Sequence, residues 1–191
     1  GRPQTPLPGP LGRPADVVVV DLGTGSGAIG LSMALERPGT EVWLTDLSDE
    51  ALQVARANLA GIGRAGGRVR LAGGSWFEAL PPELAGRVGV VVANPPYVAA
   101  EADLEPQVAA WEPLSALLAD NQGTAHLIEL VDNGPGWLAA DGALVLEMAP
   151  DQVQPMVDRA KRRFAEVEPV RDLAGRERGL VGRFPRAADR G

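Results

Sequence analysis

The chain has 191 residues, a length that fits one domain. Its formal net charge is −7 and its sequence pI is near 4.8, and a negative charge disfavours binding to the phosphate backbone of nucleic acid. It has no cysteine and one histidine, His126, so thiolate ligands and a cysteine nucleophile are excluded, no metal is expected, and a Ser-His-Asp hydrolase is disfavoured. No apolar run is long enough to span a membrane and no signal peptide pattern opens the chain, so we expect a soluble cytoplasmic protein without a membrane partner.

The first segment, residues 1–15, contains too many prolines and glycines for a helix or a central strand. We interpret it as a linker or arm that remains after a missing N-terminal domain. Residues 16–191 are expected to form the folded domain, because regular apolar patterns begin there.

Strand and helix patterns then follow one another along the chain. Apolar and β-branched runs predict strands at residues 16–21, 41–46, 69–72, 88–93, 143–148, 167–172 and 180–184. Periodic apolar positions predict helices at residues 28–35, 48–61 with Ser48 as the cap, 121–138 and 151–164, and a turn is expected at Asp141-Gly142. Residues 98–111 are expected to form a loop with a short helix, in the manner of a lid. This order predicts an α/β fold: a doubly wound Rossmann-like sheet of about seven strands with a C-terminal antiparallel hairpin.

The first strand leads directly into a glycine-rich turn, Gly23-Thr24-Gly25-Ser26-Gly27, and then into a helix. Such a turn permits positive φ and lets a ligand approach backbone N–H groups at the helix N-terminus. The stretch 25–30 also matches the dinucleotide pattern, and Asp46 lies at about the right distance beyond it to bind ribose hydroxyls. An NAD-binding dehydrogenase is therefore one alternative.

Asp21 favours a different ligand, because a carboxylate two residues before the first glycine would repel a pyrophosphate. The same carboxylate can hold the amino group of a methionine-like moiety, directly or through water. S-adenosylmethionine, a nucleoside without phosphates, fits Asp21, the glycine turn and Asp46 together. As structural alternatives, Asp21 would cap the turn and Asp46 would be an acid near a helix N-terminus.

An adenine ring would lie near the end of the third strand, where Gly73-Gly74-Ser75-Trp76-Phe77 supplies aromatic side chains. The alternative is that Trp76 and Phe77 belong to the core. His126 lies in a predicted helix beside apolar residues and is interpreted as a packing or surface residue.

The fourth strand is followed by Asn94-Pro95-Pro96-Tyr97, at the edge where open α/β sheets bind ligands. The oxygens of Asn94 and Pro95 can accept both N–H bonds of a planar NH2 group, while Tyr97 stacks on its plane. Because the prolines fix φ, the sequence predicts a rigid clamp for an amino group. The structural alternative is an ordinary proline turn.

Two motifs together carry a family resemblance, the stretch 21–27 and the stretch 94–97. They resemble the class I S-adenosylmethionine-dependent methyltransferases that modify planar amino groups, and more closely the HemK-type N5-glutamine methyltransferases. Further stretches that resemble this family lie at residues 45–48, 75–77, 112–117 and 172–178, and the similarity spans residues 16–184.

The resemblance implies a Rossmann-like class I methyltransferase domain, with S-adenosyl-L-methionine as cofactor and S-adenosyl-L-homocysteine as product. It implies that the substrate is the glutamine of the Gly-Gly-Gln motif in a peptide-chain release factor. The catalytic residues that it implies are Asn94, Pro95, Pro96 and Tyr97. The cofactor-binding residues that it implies are Asp21, Gly23, Thr24, Gly25, Ser26, Gly27, Asp46, Leu47, Ser75, Trp76, Phe77 and Asn94. Ser75 stands where the family often has an aspartate that accepts from the adenine amino group.

Other functions stay open at this point. A nucleic-acid methyltransferase acting on adenine N6 or guanine N2 would use the same clamp on a flipped-out base, although the acidic charge counts against it. A non-catalytic nucleoside-binding module is a further alternative. No sequence pattern indicates an oligomeric state.

Overall fold

The computed structural model describes residues 17–95, 98–99, 118–119 and 124–186. The predictions for the arm at residues 1–15, for Pro96 and Tyr97, and for the lid from residue 100 onward lie outside these residues. Among the described residues, no helix combines the length and the apolar character that crossing a bilayer requires.

The strands of the described chain follow the apolar runs of the sequence. Their bounds are β1 Val18–Leu22, β2 Glu41–Asp46, β3 Val69–Gly73, β4 Val88–Ala93, β5 Val98–Ala99, β6 Leu118–Ala119, β7 Leu138–Glu147, β8 Phe164–Arg171 and β9 Glu177–Pro185. Seven of them form one mixed sheet in the order β3-β2-β1-β4-β7-β9-β8, and β5 pairs in parallel with β6. The predicted fold class is confirmed, since β1 to β4 and β7 are parallel and β8 and β9 form a C-terminal antiparallel hairpin.

The described residues also form α-helices between the strands. Their bounds are α1 Ala28–Glu36, α2 Asp49–Gly61, α3 Ala125–Asn133 and α4 Pro150–Ala160. Helix α1 begins directly after Gly27, whose φ of +83° is one that L side chains rarely adopt. Helix α2 begins after Ser48, whose hydroxyl accepts a hydrogen bond of 3.2 Å from the amide of Ala51. The cap predicted at Ser48 is therefore confirmed.

Three predicted boundaries in the second half of the chain are wrong. The helix predicted to reach residue 138 ends at Asn133, because the segment Gly134–Gly136 forms a 3₁₀ turn around a proline and Leu138 already begins β7. The turn predicted at Asp141-Gly142 lies inside β7, where the register against β4 shifts. The last helix ends at Ala160 and not at residue 164, because Phe164 is buried in the core as the first residue of β8.

Two layers of apolar side chains cover the two faces of the sheet. One layer joins α1 and α2 to the sheet through Leu31, Ala34 and Ala55, with Val19 and Val42 from the strands. The other layer joins α3 and α4 to the opposite face. It includes Val20, Leu22, Val91, Leu127, Leu130, Leu144, Val153 and Phe164. Neighbouring residues of β1 enter different layers because successive side chains of a strand point to opposite faces, and helices on both faces make the sheet doubly wound.

The strand register brings several chain segments to one edge of the sheet. Leu22 pairs with Thr45 of β2 and with Ala93 of β4, and Ala93 pairs in turn with Leu146 of β7. These pairings are parallel, so the segments that follow β1, β2, β4 and β7 all leave the sheet at the same edge. The antiparallel strand β9 begins at that edge, where Gly179 pairs with Glu147.

Candidate active site

The glycine turn after β1 is held open by hydrogen bonds to its own backbone and to β2. The amide of Thr24 donates to the carbonyl of Thr45 over 2.9 Å, and the amide of Gly27 donates to the carbonyl of Thr24 over 2.9 Å. Gly23 and Gly25 have φ values of +65° and +55°, which favour glycine. A Cβ at Gly25 would meet no atom within 4 Å, so the turn borders open space at this point.

Asp21 lies beneath this turn and is almost completely buried, with 1% of its surface exposed. Its Oδ2 accepts hydrogen bonds from Thr24 Oγ1 at 2.7 Å and from the amide of Gly30 at 2.9 Å. Burial raises the pKa of this carboxyl, although both hydrogen bonds act in the opposite direction. The geometry supports the alternative in which Asp21 caps the turn and the first turn of α1, and it gives no support to direct contact between Asp21 and a ligand.

Asp46 connects the end of β2 to the glycine turn. Its Oδ2 accepts from the amide of Gly25 at 2.9 Å, and its Oδ1 accepts from the amide of Ser48 at 2.9 Å. The side chain is half-buried, and the next residue, Leu47, is 78% exposed. Asp46 is therefore positioned beside the open space at Gly25, where a ribose could reach it.

The aromatic residues after β3 have different environments. Phe77 is 5% exposed and stacks on Trp137 with ring centroids 5.8 Å apart, so it belongs to the core and its ring is not presented to a ligand. Trp76 is half-buried, and its ring lies 3.2 Å from the position that a Cβ on Gly23 would occupy. Of the two, Trp76 is the aromatic residue next to the glycine turn, while Ser75 is half-buried and precedes it.

Sequence reasoning missed two features of Trp76. Its φ is +41°, a strained value for a tryptophan, and residues in such conformations cluster at functional sites. Its ring also contacts the ring of His126 in α3, with centroids 5.2 Å apart. His126 is therefore a packing residue, and the ring on which it packs is that of Trp76 beside the glycine turn.

Asn94 follows β4 directly and is exposed, while Pro95 is buried. The preceding residue, Ala93, pairs with Leu22, the last residue before the glycine turn. The structure therefore brings Asn94 to the same edge as Asp46 and the turn. The roles assigned to Pro96 and Tyr97 stay predictions, because these residues lie outside the described part of the chain.

The site disfavours a pyrophosphate group. The amides of Thr24, Gly25 and Gly27 are already engaged in hydrogen bonds, and the amide of Gly30 at the start of α1 is bound by the carboxylate of Asp21. The carboxylates of Asp46 and Asp21 are thus hydrogen-bonded to the turn and to the start of α1, and negative charge there opposes the binding of an anion. Within the described residues, no group of three or more His, Asp or Glu side chains is placed to hold a metal ion.

Solved structures with a similar fold include proteins that are named as methyltransferases. The chain matches a protein of Agrobacterium tumefaciens described as a predicted O-methyltransferase, with a TM-score of 0.64 and 18% identity over 93% of this chain and 78% of that one. It matches the ribosomal protein L11 methylase of Lactobacillus delbrueckii subsp. bulgaricus with a TM-score of 0.59 and 22% identity, over 87% and 70% of the two chains. These matches show a shared Rossmann-like fold.

Sequence relatives are more closely similar. The chain is 44% identical over 183 residues to the release factor glutamine methyltransferase of Burkholderia pseudomallei, covering 90% of this chain and 61% of the relative. It is 46% identical over 164 residues to the protein of the same name in Bordetella pertussis, covering 84% and 58%. The chain thus spans about three fifths of the length of these relatives.

A family model covers the part of the chain that contains the site. The matched residues are 10–115, and the model is described as the methyltransferase small domain. They include the glycine turn, Asp46, Trp76 and Asn94. The names of the relatives confirm the resemblance to glutamine methyltransferases that the motifs carry. The chain therefore belongs to the methyltransferase small domain family.

Proposed function

We propose that this protein binds S-adenosylmethionine at the glycine turn and methylates the side-chain amide nitrogen of a glutamine in a protein. The observation that carries the proposal is the placement of the exposed Asn94 at the same sheet edge as the Asp46–Gly25 hydrogen bond. A site for a nucleoside and a site for an amino group are thereby adjacent.

The cofactor would be held by residues on the β1 to β3 side of the edge. The open space at Gly25 would receive the methionine part, Asp46 would accept hydrogen bonds from the ribose hydroxyls, and Trp76 would offer an aromatic face to the adenine. Asp21 would act indirectly, by holding the turn and α1 in place. When bound, S-adenosylmethionine supplies an electrophilic methyl group and leaves as S-adenosylhomocysteine.

Asn94 and Pro95 would orient the nucleophile. An amide nitrogen is a poor nucleophile because its lone pair is delocalised into the carbonyl group. The side-chain oxygen of Asn94 and the carbonyl oxygen of Pro95 would accept the two N–H bonds and aim the lone pair, and such orientation accounts for much of a catalytic effect. No strong base is needed before transfer, because the proton leaves after the nitrogen is methylated.

The relatives support a release factor as the substrate. They are named release factor glutamine methyltransferases, and the site residues lie within the stretch 10–115 that matches the family model. The glutamine of the Gly-Gly-Gln motif is the proposed acceptor. The net charge of −7 does not favour a nucleic-acid substrate. Because release factors act on ribosomes, the proposal includes a cytoplasmic location.

The test is transfer of a labelled methyl group from S-adenosylmethionine to a purified release factor. A release factor whose Gly-Gly-Gln glutamine is replaced serves as the control, and tRNA, rRNA and DNA are assayed in parallel. Label on the intact release factor and not on the control supports the proposal. Label on nucleic acid alone, or no transfer to any of these, contradicts it.

A further inference from the structure

A cavity of about 480 Å³ lies at the active-site edge of the sheet, between the end of β7 and the turn that joins β8 to β9. Its volume is within the range of about 300 to 1,000 Å³ that is typical of ligand sites. The residues that line it include the apolar Val145 and Val170, together with Glu147, Arg178 and Gly179. None of these residues has a role in binding the cofactor as described above.

The cavity adjoins the proposed clamp for the glutamine side chain. Ala93 pairs with Leu146, so the next residues, Asn94 and Glu147, leave two adjacent parallel strands side by side. Adjacent strands lie about 4.8 Å apart. Both residues are exposed. A polypeptide whose glutamine reached Asn94 would therefore have its neighbouring residues at the mouth of this cavity.

Arg178 has unused hydrogen-bond donors. Its closest ion-pair contact within the described chain is 3.9 Å, from Nε to Asp172 Oδ2, beyond hydrogen-bond distance, and its side chain is 31% exposed. The other arginines of the lining are engaged: Arg171 donates to the carbonyl of Gly175 and to Glu177, and Arg176 donates to Asp172. Of the three arginines, Arg178 is therefore the one whose guanidinium makes no hydrogen bond within the described residues, so its five donors are available to a ligand.

Glu147 supplies acceptors on another part of the lining. Its carboxylate is exposed, and no hydrogen bond or ion pair joins it to Arg178 or to any other side chain of the described residues. Gly179, which pairs with Glu147, has no side chain because a Cβ there would lie 2.5 Å from the carbonyl oxygen of Leu146 in β7. A donor on Arg178 and an acceptor on Glu147 match a peptide backbone, whose units each carry one C=O and one N–H.

The turn that joins β8 to β9, next to Arg178, is fixed before any ligand binds. Asp172 accepts hydrogen bonds of 2.9 Å from the amides of Ala174 and Arg176, and Gly175 supplies the positive φ of +82° that the turn requires. A preformed wall reduces the entropy that is lost on binding.

We propose that this cavity binds the main chain of the protein substrate next to the methylated glutamine, with Arg178 donating to a carbonyl group and Glu147 accepting from an N–H group. The inference rests on the proposed function, since it requires a polypeptide substrate. A neutral peptide backbone fits both side chains, whereas an acidic side chain bound to Arg178 would be repelled by Glu147.

The test uses the chain of residues 1–191 and two methyl acceptors: a peptide that contains the Gly-Gly-Gln sequence of a release factor, and butyramide, which has the primary amide of the glutamine side chain but no peptide main chain. Because Arg178→Ala removes a charged donor, it should lower kcat/KM for the peptide by about 10- to 100-fold, through KM. For butyramide, kcat/KM should change less than about twofold, and so should the Kd of S-adenosylmethionine. Arg178→Lys, which keeps the charge and one set of donors, should recover part of the loss.

Arg183→Ala is the matched control, because Arg183 lies on the same strand and pairs with Glu168 away from the cavity. It should leave kcat/KM for the peptide unchanged. An unchanged KM in Arg178→Ala, or an equal loss with both acceptors, would overturn the inference and leave the proposed function intact. A loss that disappears when acidic residues of the peptide are replaced by alanine would also overturn it, in favour of carboxylate recognition. Failure of the wild-type chain to methylate any polypeptide would overturn the proposed function itself and this inference with it.

Discussion

The amide of Gly25 donates a hydrogen bond of 2.9 Å to Oδ2 of Asp46, and this bond joins the turn after β1 to the end of β2. The other oxygen of the same carboxylate accepts from the amide of Ser48. Asp46 is therefore fixed between two backbone segments before a ligand arrives. Such pre-organisation lowers the cost of binding, because little side-chain freedom is left to lose.

We expect Asp46→Ala to raise the Kd of S-adenosylmethionine by at least about tenfold, because it removes acceptors for the ribose and frees the amide of Gly25. Isothermal titration calorimetry measures the effect. Asp49→Ala is the matched control, since Asp49 is an exposed acid in the first turn of α2. An unchanged Kd in Asp46→Ala would show that the ribose is held elsewhere.

Asn94→Ala should abolish methyl transfer while the Kd of S-adenosylmethionine stays within about tenfold, because the loss falls on alignment of the nucleophile in the transition state. Single-turnover transfer of a labelled methyl group measures the transfer rate, and isothermal titration calorimetry measures the Kd of S-adenosylmethionine. Asn133→Ala, which changes an exposed asparagine at the end of α3, should retain activity. A normal transfer rate in Asn94→Ala would refute the clamp mechanism.

Gly30→Ala should destabilise the fold by about 1 to 3 kcal/mol, because added volume in a packed site forces neighbours to shift. A Cβ at Gly30 would lie 2.1 Å from Leu44 Cδ2 and 3.1 Å from Asp21 Oδ2. Gly61→Ala is the contrasting variant, since a Cβ there meets nothing within 4 Å and alanine favours a helix. Urea unfolding measures both changes, and equal stability of the two variants would contradict the packing described at Gly30.

The pH dependence of stability should differ between wild type and Asp21→Asn. Burial raises the pKa of Asp21 above its ordinary value of 3.8. A carboxyl with a raised pKa in the folded state contributes stability below the unfolded-state pKa, and this contribution is lost as pH rises through the folded-state pKa. The unfolding free energy of wild type minus that of Asp21→Asn should therefore fall as pH rises from below about 3.8, measured by urea unfolding at several pH values.

For Asp132→Asn, the unfolding free energy of wild type minus that of the variant should instead rise with pH. Partial burial raises the pKa of Asp132, but hydrogen bonds and charges from Arg159 and then Arg163 outweigh it, so the pKa lies below 3.8. The stability that Asp132 contributes is then present above 3.8 and is lost as pH falls through the folded-state pKa. If this free-energy difference changed with pH in the same direction for Asp21→Asn and Asp132→Asn, either the raised pKa of Asp21 or the lowered pKa of Asp132 would be contradicted.

The sequence predicts those parts of the fold that are determined by residues close together in the chain. The strand β4 has the predicted bounds because its apolar residues form one uninterrupted run, and the start of α2 follows from the side chain of Ser48. The end of α3 was mispredicted because apolar periodicity continues into Leu138, while Pro135 and its flanking glycines change the backbone.

The parts of the site that the sequence does not predict depend on contacts between distant residues. Asp21 caps the amide of Gly30 nine positions away, so its role is visible only after α1 packs against β1. The choice of Trp76 over Phe77 depends on a backbone φ of +41° that no local pattern indicates. Glu147 and Gly179 become neighbours only through the register of β7 with β9.

The order β3-β2-β1-β4-β7-β9-β8 separates the residues proposed for the methyl donor from those proposed for its acceptor. Asp46 and Trp76 follow β2 and β3, whereas Asn94 follows β4 and Arg178 lies in β9, so the two groups belong to opposite sides of the boundary between β1 and β4. Changes on the acceptor side of that boundary can therefore leave the residues of the donor side unaltered.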